Sequence, residues 1–237
     1  MKRVTLCVLM LLLCLSVVVS AEEMPVATAV RAKGSVTIDG EFDHEWENAV
    51  NHVIRVSKDD PVVQEFGTVW NPDVFNAEGE FYFMWDEKNL YLFANIIDDA
   101  IYDSDSIVWL NDTVAVFMVD TDSTANFKLP IPASVASKRV VLERMNVNDI
   151  AQMAVRQMAD VYAKITETGW CLEAALDWNK VFAAKIDIAA GKSLRFTPLL
   201  IDGRGPGGPK QNWGQAMWVG DGDCVDGSVY GWMKLVD

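Results

Sequence analysis

The sequence has 237 residues, of which 51% are hydrophobic, 23% charged and 10% aromatic, and its formal net charge is −14. This composition is typical of a globular chain that can bury one full core. A chain this acidic repels nucleic acid and anionic surfaces. We therefore expect no nucleic-acid partner, and no membrane partner once any signal peptide has been cleaved. Neutral sugars, cations and basic partners remain compatible with this charge.

The first 21 residues have the pattern of a secretory signal peptide. Lys2 and Arg3 form a positive start, Val4 to Val19 is an apolar run, and Ser20 and Ala21 are small residues suited to cleavage. The apolar run is shorter than the ~20 residues that a spanning helix needs. We therefore predict a signal peptide over residues 1–21 and a secreted or periplasmic domain over residues 22–237. Loss of both basic residues with the signal leaves this domain a net charge of −16.

The rest of the chain predicts strand after strand, with few helices. The predicted strands are Ser35–Ile38, His52–Val56, Glu80–Trp85, Leu90–Ile97, Thr113–Val119, Arg139–Leu142, Val161–Ile165, Trp170–Leu176, Leu194–Ile201, Gln215–Val219 and Val229–Leu235. The polar turn Asp86–Asn89 makes the third and fourth of these a hairpin. Only Asp43–Ala49 and Asp149–Ala159 look helical, and the glycines and prolines of Arg204–Pro209 predict a loop. This spacing indicates an all-β sandwich or barrel.

An acidic run after the strand Leu90–Ile97 is a candidate metal site. Calcium takes several oxygen ligands from closely spaced acidic side chains and backbone carbonyls. We name Asp98, Asp99 and Asp103 as calcium ligands, with a solvated acidic loop as the alternative. No organic cofactor is expected.

The sequence carries no motif for catalysis. It has two histidines, His44 and His52, and the glycines of residues 203–208 are interrupted by prolines, which excludes a phosphate-binding loop. We predict that the domain is not an enzyme, although a pair of carboxylates for glycoside hydrolysis stays an open alternative. Cys171 and Cys224 remain after signal cleavage, either as a disulfide, which export permits, or as two buried thiols.

Four stretches resemble, in order, the family 9 carbohydrate-binding modules. They are Ile38–Trp46, Met84–Asp99, Trp109–Phe117 and Trp170–Trp178, followed by Leu194–Asp202 and Tyr230-Gly231. The resemblance implies an antiparallel β-sandwich of immunoglobulin-like or jelly-roll type with one or two short helices. It also implies binding of a sugar ring between two tryptophans, and structural calcium in many members.

The resemblance assigns residues of this chain to a sugar site. Trp109 matches a stacking tryptophan, and its neighbours Asn111 and Asp112 can bond sugar hydroxyls. Lys128 lies near the position of the family's arginine. Trp213 and Trp218 lie in the region of the second stacking tryptophan, whereas Trp46, Trp85 and Trp178 belong to fold motifs and are expected to be structural. Ala115 replaces the family's glutamate, so one polar anchor of the site is missing.

The resulting interpretation is a non-catalytic module that recognises neutral carbohydrate or polysaccharide ends by aromatic stacking and serves carbohydrate catabolism. Two alternatives stay open. One is a haem-binding electron-transfer sandwich that uses Met84, Met118, Met217 or Met233. The other is a structural or interaction domain that kept the fold and lost the sugar site.

Overall fold

The computed structural model describes residues 23–102, 110–119, 126–132, 141–145, 153–154, 159–181, 188–204, 213–222 and 227–237. Fourteen strands lie within these residues: β1 (Val26–Arg31), β2 (Ile54–Val56), β3 (Thr68–Trp70), β4 (Glu78–Trp85), β5 (Asn89–Ile97), β6 (Thr113–Val119), β7 (Asn126–Pro132), β8 (Val141–Met145), β9 (Met153–Ala154), β10 (Ala159–Ile165), β11 (Gly169–Asp177), β12 (Ser193–Gly203), β13 (Trp213–Met217) and β14 (Gly231–Val236). The described helices are α1 (Pro61–Phe66) and α2 (Trp178–Val181), with 3₁₀ turns at His44–Asn48, Val50–His52 and Gly227–Val229. None of them is long and apolar enough to cross a bilayer.

The strands form two layers that are joined along one hydrogen-bonded path. The strand order is β10-β11-β5-β4-β1-β14-β12-β6-β7-β8-β9, with β2 beside β4, and β13 between β12 and β3. Phe83 of β4 meets Phe196 of β12 edge-to-face, with ring centroids 4.9 Å apart. The two halves of the sheet therefore pack face to face around a shared core, as the predicted sandwich requires.

The sheet is mixed rather than purely antiparallel. β1 runs parallel to both β14 and β4 and closes the gap between the two layers. Sequence analysis placed no strand at Val26–Arg31 and instead expected one at Ser35–Ile38, which is irregular in the structure. The backbone that follows residue 38 is held by hydrogen bonds to a buried side chain, described below, rather than by a neighbouring strand.

The predicted hairpin and first helix are confirmed, and the second predicted helix is wrong where it can be compared. β4 and β5 pair in antiparallel register on either side of the turn that begins at Asp86. The segment predicted as a helix over 43–49 forms a 3₁₀ turn capped by the Asp43 side chain. Within Asp149–Ala159, the described residues Met153 and Ala154 form β9, which pairs with β8.

The largest side chains of the core are aromatic and fully buried. Trp46, Trp85 and Trp178 are each at most 1% exposed, as expected for structural residues. Cys171 is a buried free thiol, and burial raises its pKa. The described residues therefore favour the thiol alternative over a disulfide, and Cys224 lies outside them.

A buried carboxylate joins the first resemblance motif to the fourth. Glu173 of β11 is fully buried, and its Oε2 accepts hydrogen bonds from the backbone N–H groups of Asp39 (2.9 Å) and Gly40 (2.8 Å). Its Oε1 accepts from the indole N–H of Trp46 at 2.9 Å. Gly40 has a φ of 78°, in the left-handed region that glycine favours, so the loop can turn both amides toward one oxygen. Burial raises the pKa of Glu173, and these three donors hold the group in place.

We expect Glu173→Ala to lower the free energy of unfolding by about 3 kcal/mol or more, because three buried donors lose their acceptor. Glu173→Gln keeps the size and one acceptor oxygen and should lose less. Glu167→Ala, at an exposed glutamate of the neighbouring turn, should change stability by less than about 0.5 kcal/mol. Urea unfolding of the three variants checks this. Equal losses at positions 173 and 167 would contradict the anchoring role.

Candidate functional site

Three aspartates from three separate strand ends meet in the interior at one end of the sandwich. Asp98 follows β5, Asp112 precedes β6, and Asp202 lies near the end of β12. They are 8%, 0% and 0% exposed, and their carboxylate oxygens lie within 4.8 Å of one another. Chain topology brings these residues together from distant points of the sequence.

Two of the carboxylates hold neighbouring loops through backbone amides. Asp112 accepts from the N–H groups of Tyr102 and Gly203, the latter at 2.6 Å. Asp202 accepts from the N–H of Asn76 at 2.8 Å and forms an ion pair with Arg204, whose Nε lies 2.8 Å away. These bonds fix the loops at this end of the sandwich.

The third carboxylate is incompletely satisfied. Asp98 Oδ1 accepts from the N–H of Ala100 at 3.0 Å, but its Oδ2 is buried without a hydrogen-bond partner among the described residues. Burial, followed by repulsion from the neighbouring carboxylates, raises the pKa of Asp98 to about 6 and that of Asp112 to about 8. Burial also raises the pKa of Asp202.

The charge of this cluster suits a divalent cation. When all three carboxylates are ionised, the cluster and the Arg204 guanidinium sum to a formal charge of −2. Hard cations such as calcium take oxygen ligands of this kind, and an orphaned buried oxygen is an open ligand position. The residues present therefore fit the ion that the resemblance implied.

Of the predicted calcium ligands, the structure places one in the aspartate cluster and one outside it. Asp98 belongs to the cluster, whereas Asp99 is exposed, and its carboxylate accepts from Arg204 at 2.9 Å. Asp103 lies outside the described residues. Asp202 and Asp112, which sequence analysis did not name as metal residues, complete the cluster.

Two tryptophans stack beside the aspartate cluster. Trp213 of β13 pairs in register with Gly203, the residue whose amide binds Asp112. Its ring packs on Trp70 of β3, with centroids 4.4 Å apart and planes tilted by 32°. The Asn71 amide also donates to the Trp213 carbonyl at 3.0 Å. Both rings are partly exposed, so this pair presents an ordered aromatic surface.

The face beside Trp213 is apolar. Ala115 of β6 is fully buried in a cluster with Phe117, Leu199 and Ile201, against which Trp213 packs. Ala115, the position that the resemblance matched to the family's glutamate, therefore lies in a buried apolar cluster.

Three further residues predicted for the sugar site are buried. Asn111 is 4% exposed, Asp112 is fully buried and Trp218 is 5% exposed within the main core cluster. Side chains buried to this degree do not reach a surface ligand, so we remove these three from the sugar site. Lys128 lies on β7 in register with Phe117. Trp109 lies outside the described residues, immediately before the described Leu110.

The methionines considered for a haem site are core residues. Met84, Met118, Met217 and Met233 are each at most 1% exposed. Their burial in the sandwich matches the common role of methionine as core filler.

Sequence analysis did not name Trp70 as a site residue. The sequence does contain a sign that Trp70 is accessible. Trp70 ends a short strand directly before the turn residues Asn71-Pro72, and a turn exposes the last side chain of the strand before it. Its contact with Trp213, more than a hundred residues later, has no local sequence signal.

Residues 38–237 match the family model described as carbohydrate family 9 binding domain-like. Over 160 residues, 68% of this chain, the sequence is 26% identical to endo-1,4-beta-xylanase A of Thermotoga neapolitana. The chain spans only 14% of the length of that protein.

Two solved structures share this fold. Both are of a family 9 carbohydrate-binding module from Caldicellulosiruptor kristjanssonii at 16% identity, one in complex with cellotriose and one with glucose. The first has a TM-score of 0.59 and covers 90% of this chain and 94% of its own; the second has a TM-score of 0.58 and covers 88% and 95%.

Proposed function

The chain belongs to the carbohydrate family 9 binding domain-like family, and from this premise we propose that it is an exported, non-catalytic module that binds neutral carbohydrate. The observation that carries the proposal is the partly exposed Trp70–Trp213 pair beside the aspartate cluster. The signal-peptide pattern of residues 1–21 supports export. The related xylanase supports a role in carbohydrate catabolism.

The tryptophan pair suits one face of a sugar ring. A pyranose has flat C–H faces and polar edges, and an indole face removes such a C–H face from water. The stack of Trp70 on Trp213 holds the surface rigid before a ligand arrives, which lowers the entropic cost of binding. Trp109, which the resemblance matched to a stacking tryptophan, is our candidate for the second plate of the site.

The ligand we propose is a neutral glucose- or xylose-based oligosaccharide, bound at its end. The modules solved with cellotriose and with glucose support this chemical class. The net negative charge of the chain disfavours an anionic sugar. With one polar anchor absent, aromatic stacking supplies most of the affinity.

We also propose that Asp98, Asp112 and Asp202 hold a structural calcium ion. The ion would neutralise the buried carboxylates and take up the orphaned Oδ2 of Asp98. Asp112 and Asp202 also bind the amides of Gly203 and Asn76, so the ion would stiffen the loops next to the tryptophan pair.

The Trp70–Trp213 pair is the platform of the proposed site, and removal of either ring should weaken binding without unfolding the domain. We expect Trp213→Ala and Trp70→Ala each to weaken binding of cellotriose or xylotriose by about 2 kcal/mol, some thirtyfold, through lost apolar contact. Trp232→Ala is the matched control, because this partly exposed tryptophan of β14 stacks under Arg195, roughly 25 Å along β12 from Gly203. Titration calorimetry measures all three. Equal affinities for the wild type and the two platform variants would contradict this site.

Substitutions at Asp98 and at its neighbour Asp99 should differ in how much calcium stabilises the fold. The raised pKa values of Asp98 and Asp112 mean that the metal-free fold loses stability as pH rises from about 4, where the unfolded carboxyls ionise, through about 8. At pH 8 with chelator, Asp98→Asn should therefore equal or exceed the wild type in stability. Calcium at 100 times its Kd should stabilise the wild type by about 3 kcal/mol and Asp98→Asn by much less.

Asp99→Asn serves as the control in the same experiment, because Asp99 is exposed and is not one of the three buried carboxylates, although it pairs with Arg204. This variant should keep the full calcium effect. Thermal unfolding in excess calcium and in excess chelator measures these differences. Identical wild-type curves in the two conditions would overturn the calcium proposal.

A further inference from the structure

A concave surface on the outer face of the other layer contains a second aromatic and polar site. The cavity has a volume of about 410 Å³ and lies over β4, β5 and β11. The aromatic residues Phe42, Tyr82 and Phe93 line it, together with the polar residues Asn95 and Thr166. This face points away from the shared core and carries neither Trp70 nor Trp213.

Phe42 is a fixed aromatic plate at this cavity. Its ring is 41% exposed, yet it contacts Tyr82 at 4.8 Å and Phe93 at 5.0 Å between centroids. An exposed aromatic ring braced by two others loses little freedom when a ligand covers it. The loop that carries Phe42 is the one that Glu173 anchors through Gly40.

The polar groups of the cavity have unused hydrogen-bonding capacity. The side-chain amide of Asn95 makes no hydrogen bond among the described residues, although it can donate two and accept two. The hydroxyl oxygen of Thr166 is buried and likewise has no partner in the described part of the chain. Unmet polar groups beside an exposed aromatic plate match the edge and face of a sugar ring.

The charged side chains that line this cavity, Lys164 and Glu41, form one ion pair, and a second ion pair lies beside the cavity. Lys164 binds Glu41, and Arg55 binds Glu80 at 3.1 Å, which in turn accepts from the Tyr82 hydroxyl at 2.9 Å. A ligand of either charge would compete with these pairs. The cavity therefore favours a neutral ligand.

The strand register extends the site into a groove across the sheet. Lys164, Cys171, Asn95, Glu80 and Arg55 lie directly opposite one another on β10, β11, β5, β4 and β2. Five neighbouring strands span roughly 19 Å. A second cavity of about 110 Å³ meets the first at Asn95, and its charged lining residues are Arg55, Asp60, Glu78 and Glu80.

We propose that this groove is a second carbohydrate-binding site, which takes an internal stretch of a neutral oligosaccharide across the strands. Phe42 covers one sugar ring, and Asn95 bonds hydroxyls at the junction of the two cavities. The inference stands on the groove alone and goes beyond the site proposed at Trp70 and Trp213. A domain with two such faces holds a polysaccharide at an end and along its length.

The test is calorimetric titration of the full mature chain with cellotriose and with xylotriose. The variants are Phe42→Ala, Asn95→Ala and Trp213→Ala, and Asn179→Ala, at an exposed asparagine of α2, is the control. We expect two binding events in the wild type. Phe42→Ala and Asn95→Ala should each weaken one of them at least about tenfold and leave the other, while Trp213→Ala affects only the other. Asn95→Ala guards against a folding defect of Phe42→Ala, because Asn95 makes no side-chain hydrogen bond to lose.

Each of the other possible outcomes shows which of the two proposed sites is wrong. A single event that Trp213→Ala abolishes and neither groove variant alters overturns the groove and leaves the proposed function intact. A single event that only the groove variants weaken supports the groove and overturns the platform site. No heat with either sugar in the wild type overturns both.

Discussion

Buried carboxylates that accept hydrogen bonds from backbone amides of distant segments are the constraint on which this sandwich depends. An ionised group in a core is costly unless donors surround it, so each such group fixes the segments that supply the donors. Glu173 binds the loop at residues 39 and 40 and the indole of Trp46. Asp112 and Asp202 do the same at the other end, for the amides of Gly203 and Asn76. Strand pairing alone would leave these loops without defined partners.

Both candidate binding surfaces lie next to such an anchor. The Trp70–Trp213 pair adjoins Gly203, and the Phe42 plate follows Gly40. The anchors differ in charge. Glu173 stands as a single carboxylate with three donors, whereas Asp98, Asp112 and Asp202 repel one another and Asp98 Oδ2 has neither a hydrogen bond nor an ion pair among the described residues. This difference is why we place a cation among Asp98, Asp112 and Asp202.

Local patterns were enough to predict most strands but not the residues that long-range topology brings together. The hairpin of β4 and β5, and strands such as β6, have period-2 or continuous apolar runs bounded by polar turns, and these signals are local. Val26–Arg31 is short and lacks a clear apolar and polar alternation, and it is held as a strand by β14 and β4 on its two sides. Helix α1 was missed although Asp60-Pro61 is a helix start, with the Asp60 side chain accepting from the Val62 amide. The aspartate cluster and the contact of Trp70 with Trp213 join residues far apart in sequence, so neither spacing nor composition predicts them.

A crystal structure of the mature chain grown with calcium and cellotriose tests the central claim most directly, because it reports the ion and the sugar in one experiment. We predict an ion among Asp98, Asp112 and Asp202 and a sugar ring against the Trp70–Trp213 pair. A structure at saturating sugar in which that pair is bare, with the three carboxylates unbridged, would contradict the account.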